Sequence, residues 1–123
     1  MNFYLASFFR AWIFTVVVET LVLLVIFVKF IKKEPVDPKL VIVGSVFANS
    51  LTLPYVWFIF PSLLIGQYSL SLILSELFAW LAEAVFYKFF LKLSLKNALI
   101  ASFLANLISF GLGYWVSNLK ILG

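Results

Sequence analysis

Long apolar runs separated by short polar connections make up almost all of this chain. Residues 11–31, 40–60, 69–90 and 97–117 each form such a run, close to the roughly 20 residues a helix needs to cross a hydrocarbon core about 30 Å thick. The pattern predicts four membrane-spanning helices and leaves little outside the bilayer. The first run is too long for a signal-peptide core, contains Glu19, and ends in Lys32-Lys33-Glu34-Pro35 rather than a small-residue cleavage site; it is read as a retained helix. After it, Pro35 and Pro38 exclude a continuous helix, and the charges around them require water. The connection at 61–67 carries no charge and that at 91–96 is a basic hairpin, both of a length usual between antiparallel helices.

Composition sharpens the class. Hydrophobic residues are 65%, charged residues 11% and the mean hydropathy +1.17, against about half and about a quarter for a soluble domain. There is no cysteine and no histidine, which excludes disulfide frameworks, thiolate chemistry and His/Cys zinc sites, so any metal would take oxygen ligands. The net charge of +4 is not a nucleic-acid footprint, because the basic residues gather at the ends of the apolar runs. Lys29, Lys32, Lys33, Lys39, Lys88, Lys92 and Lys96 flank the first and third connections, whereas Arg10 and Lys120 lie on the other side. Positive charge marks the cytoplasmic side. The expectation is a cell-membrane protein with both termini outside. Phe8, Phe9, Trp12, Tyr55, Trp57, Phe58, Tyr114 and Trp115 then form an aromatic belt at the outer interface.

A polar pattern recurs inside the runs. Sliding the chain by 57 positions without a gap puts Glu19 on Glu76, Lys39 on Lys96, Ser45 on Ser102, Ala48 on Ala105, Asn49 on Asn106 and Thr52 on Ser109. Only seven of the 40 positions from 19 to 58 are identical, but the matches fall on residue types rare in apolar helices. The predicted fold is therefore an all-α integral membrane protein, four transmembrane helices formed by a parallel duplicated two-helix hairpin. It is a single membrane domain over 1–123, with repeat 1 at about 11–60 and repeat 2 at about 69–117. Copies with two spans each insert the same way up, so their pseudo-twofold axis runs along the membrane normal.

Depth and facing suggest what the pattern is for. Glu19 lies twelve residues from position 31, about 18 Å at 1.5 Å per residue, and Thr52 reaches the same level on the returning helix. Ser45, Asn49 and Thr52 share one helical stripe, as do Ser102, Asn106 and Ser109. The expectation is a polar layer near the bilayer midplane in which Glu19 and Glu76 face each other. Glu83 has Ile26 as its counterpart and lies two turns beyond Glu76, on a track with Ser69; it is read as a relay toward the layer, or as a partner of Lys88 or Lys92 at the membrane edge.

An ionisable group at helix centre costs at least about 2.5 kcal/mol and usually marks an ion or proton path. Two enclosed carboxyl groups close together hold a proton or a cation between them. Carboxylate, amide and hydroxyl oxygens suit hard ions such as Na⁺, Mg²⁺, Ca²⁺ or Mn²⁺; an organic cation is the other option, with its apolar body against Trp12, Trp80 or phenylalanines. The function expected is a small cation or proton transporter or channel, with Glu19, Glu76, Asn49, Asn106, Thr52, Ser109 and Glu83 as binding residues. Ser45, Ser102, Ala48, Ala105, Gly111 and Gly113, with Gly44 and Ala101, are expected to serve close helix packing. No catalytic residue or cofactor is expected. The partners expected are the bilayer, the transported ion and a second copy or a larger membrane complex; a non-catalytic assembly subunit of such a complex is the alternative function.

Overall fold

The structure is a computed structural model that describes residues 3–30 and 36–118. Its regular elements are all helical, and four of its helices are long and apolar enough to cross a membrane. Helix α1 is α-helical over Phe3–Val25 and continues as a π-helical stretch, Ile26–Phe30. Helix α2 spans Pro38–Leu63, with a π-helical stretch at Tyr55–Ile59 before a last α-helical turn, Phe60–Leu63. Helices α3 and α4 are Tyr68–Phe90 and Leu95–Asn118. Lys32, Lys33, Glu34, Pro35 and Lys120, used in the charge and loop arguments, lie outside the described residues.

Two boundaries differ from those read off the apolar runs. Helix α1 begins at Phe3 rather than near residue 11, because residues 3–9 extend the apolar run and Arg10 is exposed on the helix surface. Helix α2 runs through Pro61 instead of ending before it. Proline removes the donor that would bond the carbonyl four residues earlier, and the Tyr4 hydroxyl donates to that carbonyl, Trp57 O. Local chemistry sets the other ends. Asp37 Oδ1 accepts from Lys39 N at 2.9 Å with Pro38 in the first helical position, a strong helix start. The α2–α3 turn places Gly66 at φ +80. The α3–α4 turn places Lys92 at φ +56 while Leu93 N bonds Lys88 O at 3.1 Å, the six-to-one bond of a Schellman stop.

The helices pack in the cyclic order α1, α2, α3, α4, with α4 closing against α1. On α3 the main buried row recurs every fourth residue, through Ser71, Ser75, Ala79, Glu83 and Tyr87; on α2 and α4 two such rows lie side by side, Val41, Ser45 and Asn49 with Gly44, Ala48 and Thr52, and Ala98, Ser102 and Asn106 with Ala101, Ala105 and Ser109. Such i+4 ridges are those that interdigitate between obliquely crossing helices. On α2 and α4 the buried residues Val41, Gly44, Ser45, Ala48, Asn49 and Thr52 match Ala98, Ala101, Ser102, Ala105, Asn106 and Ser109 at an offset of 57, with buried Leu53 against exposed Phe110 as the exception. Leu23, Ile26, Phe27, Val41, Tyr87, Leu91 and Leu93, with the buried alanines of α2 and α4, form one apolar cluster at the end of the bundle that carries the α3–α4 turn.

Small residues play unequal parts in this packing. A Cβ on Gly44 would lie 3.1 Å from Phe90 Cδ2, so Phe90 packs where only glycine leaves room. Ala48, Ala101 and Ala105 are buried between helices. Gly111, expected at a close approach, is exposed, and a Cβ added there would meet nothing within 4 Å; it sits on the open outer face of α4 and takes no part in helix packing.

Candidate functional site

Polar side chains from all four helices converge above the apolar cluster. Glu83, fully buried on α3, accepts from Thr52 Oγ1 of α2 at 2.6 Å and from Asn106 Nδ2 of α4 at 3.1 Å. Glu19, fully buried on α1, accepts from Ser109 Oγ of α4 at 2.8 Å. The two carboxyl groups are neighbours, and Asn49 of α2 lines the same space beside Glu19. Glu19 Oε1 is buried with no hydrogen-bond donor among the described residues, a place that a proton on the carboxyl group or a bound cation would fill. The Tyr87 hydroxyl is buried just below, on the ridge that carries Glu83.

The asparagines hold matching poses. Asn49 Nδ2 donates to Ser45 O at 2.9 Å and Ser45 Oγ at 3.4 Å; Asn106 Nδ2 donates to Ser102 O at 2.8 Å and Ser102 Oγ at 3.3 Å. The Ser-x-x-x-Asn spacing thus orients each amide through its own helix, and only Asn106 adds a bond to Glu83. Ser45 and Ser102, expected to serve packing alone, also fix these amides. Ser102 Oγ further donates to Trp80 O at 2.8 Å, tying α4 to α3.

The pair that meets is Glu19 with Glu83, not Glu19 with Glu76. The buried ridge of α3 advances by fours, through residues 71, 75, 79, 83 and 87; Glu76 falls at its edge and is half-buried on the wall of the cavity above. Glu83 is no membrane-edge residue either, since Thr52 and Asn106 occupy its oxygens while Lys88 Nζ sits 4.9 Å over the Phe89 ring. Counting from helix ends misplaces Glu83 in depth because the helices are staggered, and matched donors and acceptors fix their register.

No protein-family model, curated protein or solved structure matches the chain. The site therefore stands on its own geometry. A cavity of about 910 Å³ extends from the carboxyl pair toward the end of the bundle with the α2–α3 turn. Glu19, Glu83, Asn49, Thr52, Asn106 and Ser109 form its floor, with Ser71, Ser75, Thr15 and Glu76 on its walls and Arg10 among the residues toward α1's start. Ser71 and Ser75 carry no signal as a pair until the i+4 ridge is known; Ser69, which the seven-residue spacing selected, is exposed. Among the described residues no three His, Cys, Asp or Glu side chains gather as a metal cluster, and two carboxyl groups are what the floor offers. Trp12 and Trp80 do not line the cavity. Their indoles clasp helix pairs, Trp12 Nε1 to Ser50 Oγ at 3.1 Å and Trp80 Nε1 to Leu99 O at 3.0 Å.

Proposed function

We propose that the protein is a small membrane transporter or channel for a proton or a cation, and that Glu19 and Glu83 form its binding site. The observation that carries this reading is a carboxyl pair enclosed by four helices at the blind end of a large cavity, with hydroxyl and amide groups matched to it. Enclosed carboxyl groups are costly in a bilayer protein and are retained where an ion or proton passes. All of the polar layer points into the chain's own bundle. An assembly subunit would turn such groups outward to a partner helix, so the inward facing favours transport.

The bundle is read as a duplicated hairpin, with α1–α2 equivalent to α3–α4. Support comes from the coincident burial of α2 and α4 at an offset of 57 and from the matching Asn49 and Asn106 poses. Within that frame Glu83 stands where the first repeat has the buried Ile26, so divergence between the copies creates one asymmetric pair. By the lysine bias, the cavity faces outward and the apolar cluster seals the cytoplasmic side; conduction requires that seal to open.

Flux into liposomes tests the reading. Purified protein reconstituted at equal density is given a proton gradient and then gradients of Na⁺, K⁺ and Mg²⁺. The expected result is movement of protons or one of these cations, reduced at least tenfold in Glu83→Gln. Wild-type vesicles no leakier than protein-free ones under every gradient would remove protons and inorganic cations as cargo, and with them the proposal unless the protein binds an organic cation.

A further inference from the structure

The cavity above the carboxyl pair is large for the cargo its floor could bind. At about 910 Å³ it is near the top of the roughly 300–1,000 Å³ of small-molecule pockets, and about thirty times the ~30 Å³ share of one water in the liquid. A bare proton or metal ion needs a file of polar groups rather than a chamber. Thr15, Ser71, Ser75 and Glu76 line part of its wall, and Tyr4, Phe14, Leu53, Trp57, Phe110 and Tyr114 give the rest an apolar, aromatic surface that a bare ion would not use. Arg10, the cationic side chain of the lining, is exposed and its Nη2 bonds Ser7 Oγ at 3.2 Å, so no positive group opposes a cation at the floor.

A second opening reaches the same carboxylate. Between α2 and α3 a crevice of about 320 Å³ is lined by Leu51, Tyr55, Phe78 and Phe86 and ends on Thr52 and Glu83. Leu51 and Tyr55 are exposed, which puts its mouth on the flank of the bundle that lies against lipid. Thr52 and Glu83 belong to both spaces, so their hydrogen bond is the partition between chamber and crevice. Apolar rings lead from the acyl region to a buried carboxylate.

We propose that the cargo is an amphipathic organic cation of drug size, its charged end on Glu19 and Glu83 and its apolar body among the aromatic walls of the chamber. This rests on the proton-or-cation reading and narrows it. Permanent positive charge is attracted by the carboxyl pair, and aromatic faces add cation–π attraction to apolar burial. Access through the crevice suits a molecule that partitions into the bilayer first.

The probe is tetraphenylphosphonium, whose charge does not titrate, with the similarly shaped anion tetraphenylborate as control. Binding to the whole protein in lipid nanodiscs is measured by calorimetry against empty nanodiscs. Saturable binding of the phosphonium alone is expected, weakened at least tenfold by Glu83→Gln and by Gly113→Trp. Gly113 lines the chamber, and a Cβ there meets Phe14 Cε1 at an ordinary 3.6 Å, so a side chain at this position starts without a clash and takes up chamber volume; it carries the test if Glu83→Gln does not fold. Equal uptake of both ions, or phosphonium binding that neither variant weakens, overturns the proposal. So does a wild-type protein that moves protons or inorganic cations in liposomes yet binds no phosphonium, in which case the transport reading survives without the organic cargo. Neither flux nor binding removes both.

Discussion

A carboxyl group enclosed as Glu83 is needs a donor for each oxygen, and Thr52 and Asn106 supply them from two different helices. Replacement by glutamine can keep this geometry. The new amide donates to Thr52 Oγ1, whose own hydrogen turns to Ala48 O at 3.1 Å, while the remaining oxygen still accepts from Asn106. Glu83→Gln is therefore expected to unfold within about 1 kcal/mol of wild type, the scale of one exchanged hydrogen bond. Glu83→Ala strands an amide hydrogen of Asn106 and is expected to lose about 1–3 kcal/mol, read by thermal unfolding in detergent. Much of this layer is legible in the sequence: Glu19, the doubled asparagines and the Thr52/Ser109 match stand out as rare polar residues in apolar runs. The partner of Glu19 is not, because a seven-residue step places Glu76 and Glu83 on the same face and only the packed ridge distinguishes them.

That ridge belongs to the scale of the element. Straight-helix spacing treats residues 69, 76 and 83 as one stripe, whereas the packed α3 buries residues 71, 75, 79, 83 and 87. Which row a helix buries depends on how its neighbours pack against it, so no single run encodes it. The same packing sorts the glycines. Gly44→Leu is expected to displace Phe90 and destabilise by about 1–3 kcal/mol, the usual cost of overpacking. Gly111→Ala, on an open helix surface, is expected to stabilise by up to about 1 kcal/mol from helix propensity. At the α3–α4 turn the left-handed Lys92 costs about 1–2 kcal/mol in backbone energy. Lys92→Gly recovers that amount less the added chain entropy of glycine, so a net gain of about 1 kcal/mol is expected. Thermal midpoints of the three variants in one detergent check these signs.

At the scale of the molecule, the two ends of the bundle differ in kind. One end is an apolar cluster closed by the α3–α4 turn, and the other opens into the cavity beside the α2–α3 turn. The helix count is legible from run length and hydropathy, because the bilayer fixes how long an apolar helix must be. The cavity is not, since it arises from how all four helices pack around the α2–α3 end of the bundle. The lysine bias makes a separate prediction about orientation. With no native cysteine, Gln67→Cys at the α2–α3 turn is expected to react with an impermeant maleimide from outside intact cells, and Leu95→Cys only after the membrane is opened. The reverse labelling would turn the cavity to the cytoplasm. The central claim, that Glu19 and Glu83 form the transport site while Glu76 stands beside it, is tested most directly by liposome flux of three variants side by side. Glu19→Gln and Glu83→Gln are expected to lose at least tenfold in rate, and Glu76→Gln to keep at least about a third of the wild-type rate. Flux that survives Glu83→Gln but disappears in Glu76→Gln would contradict the account.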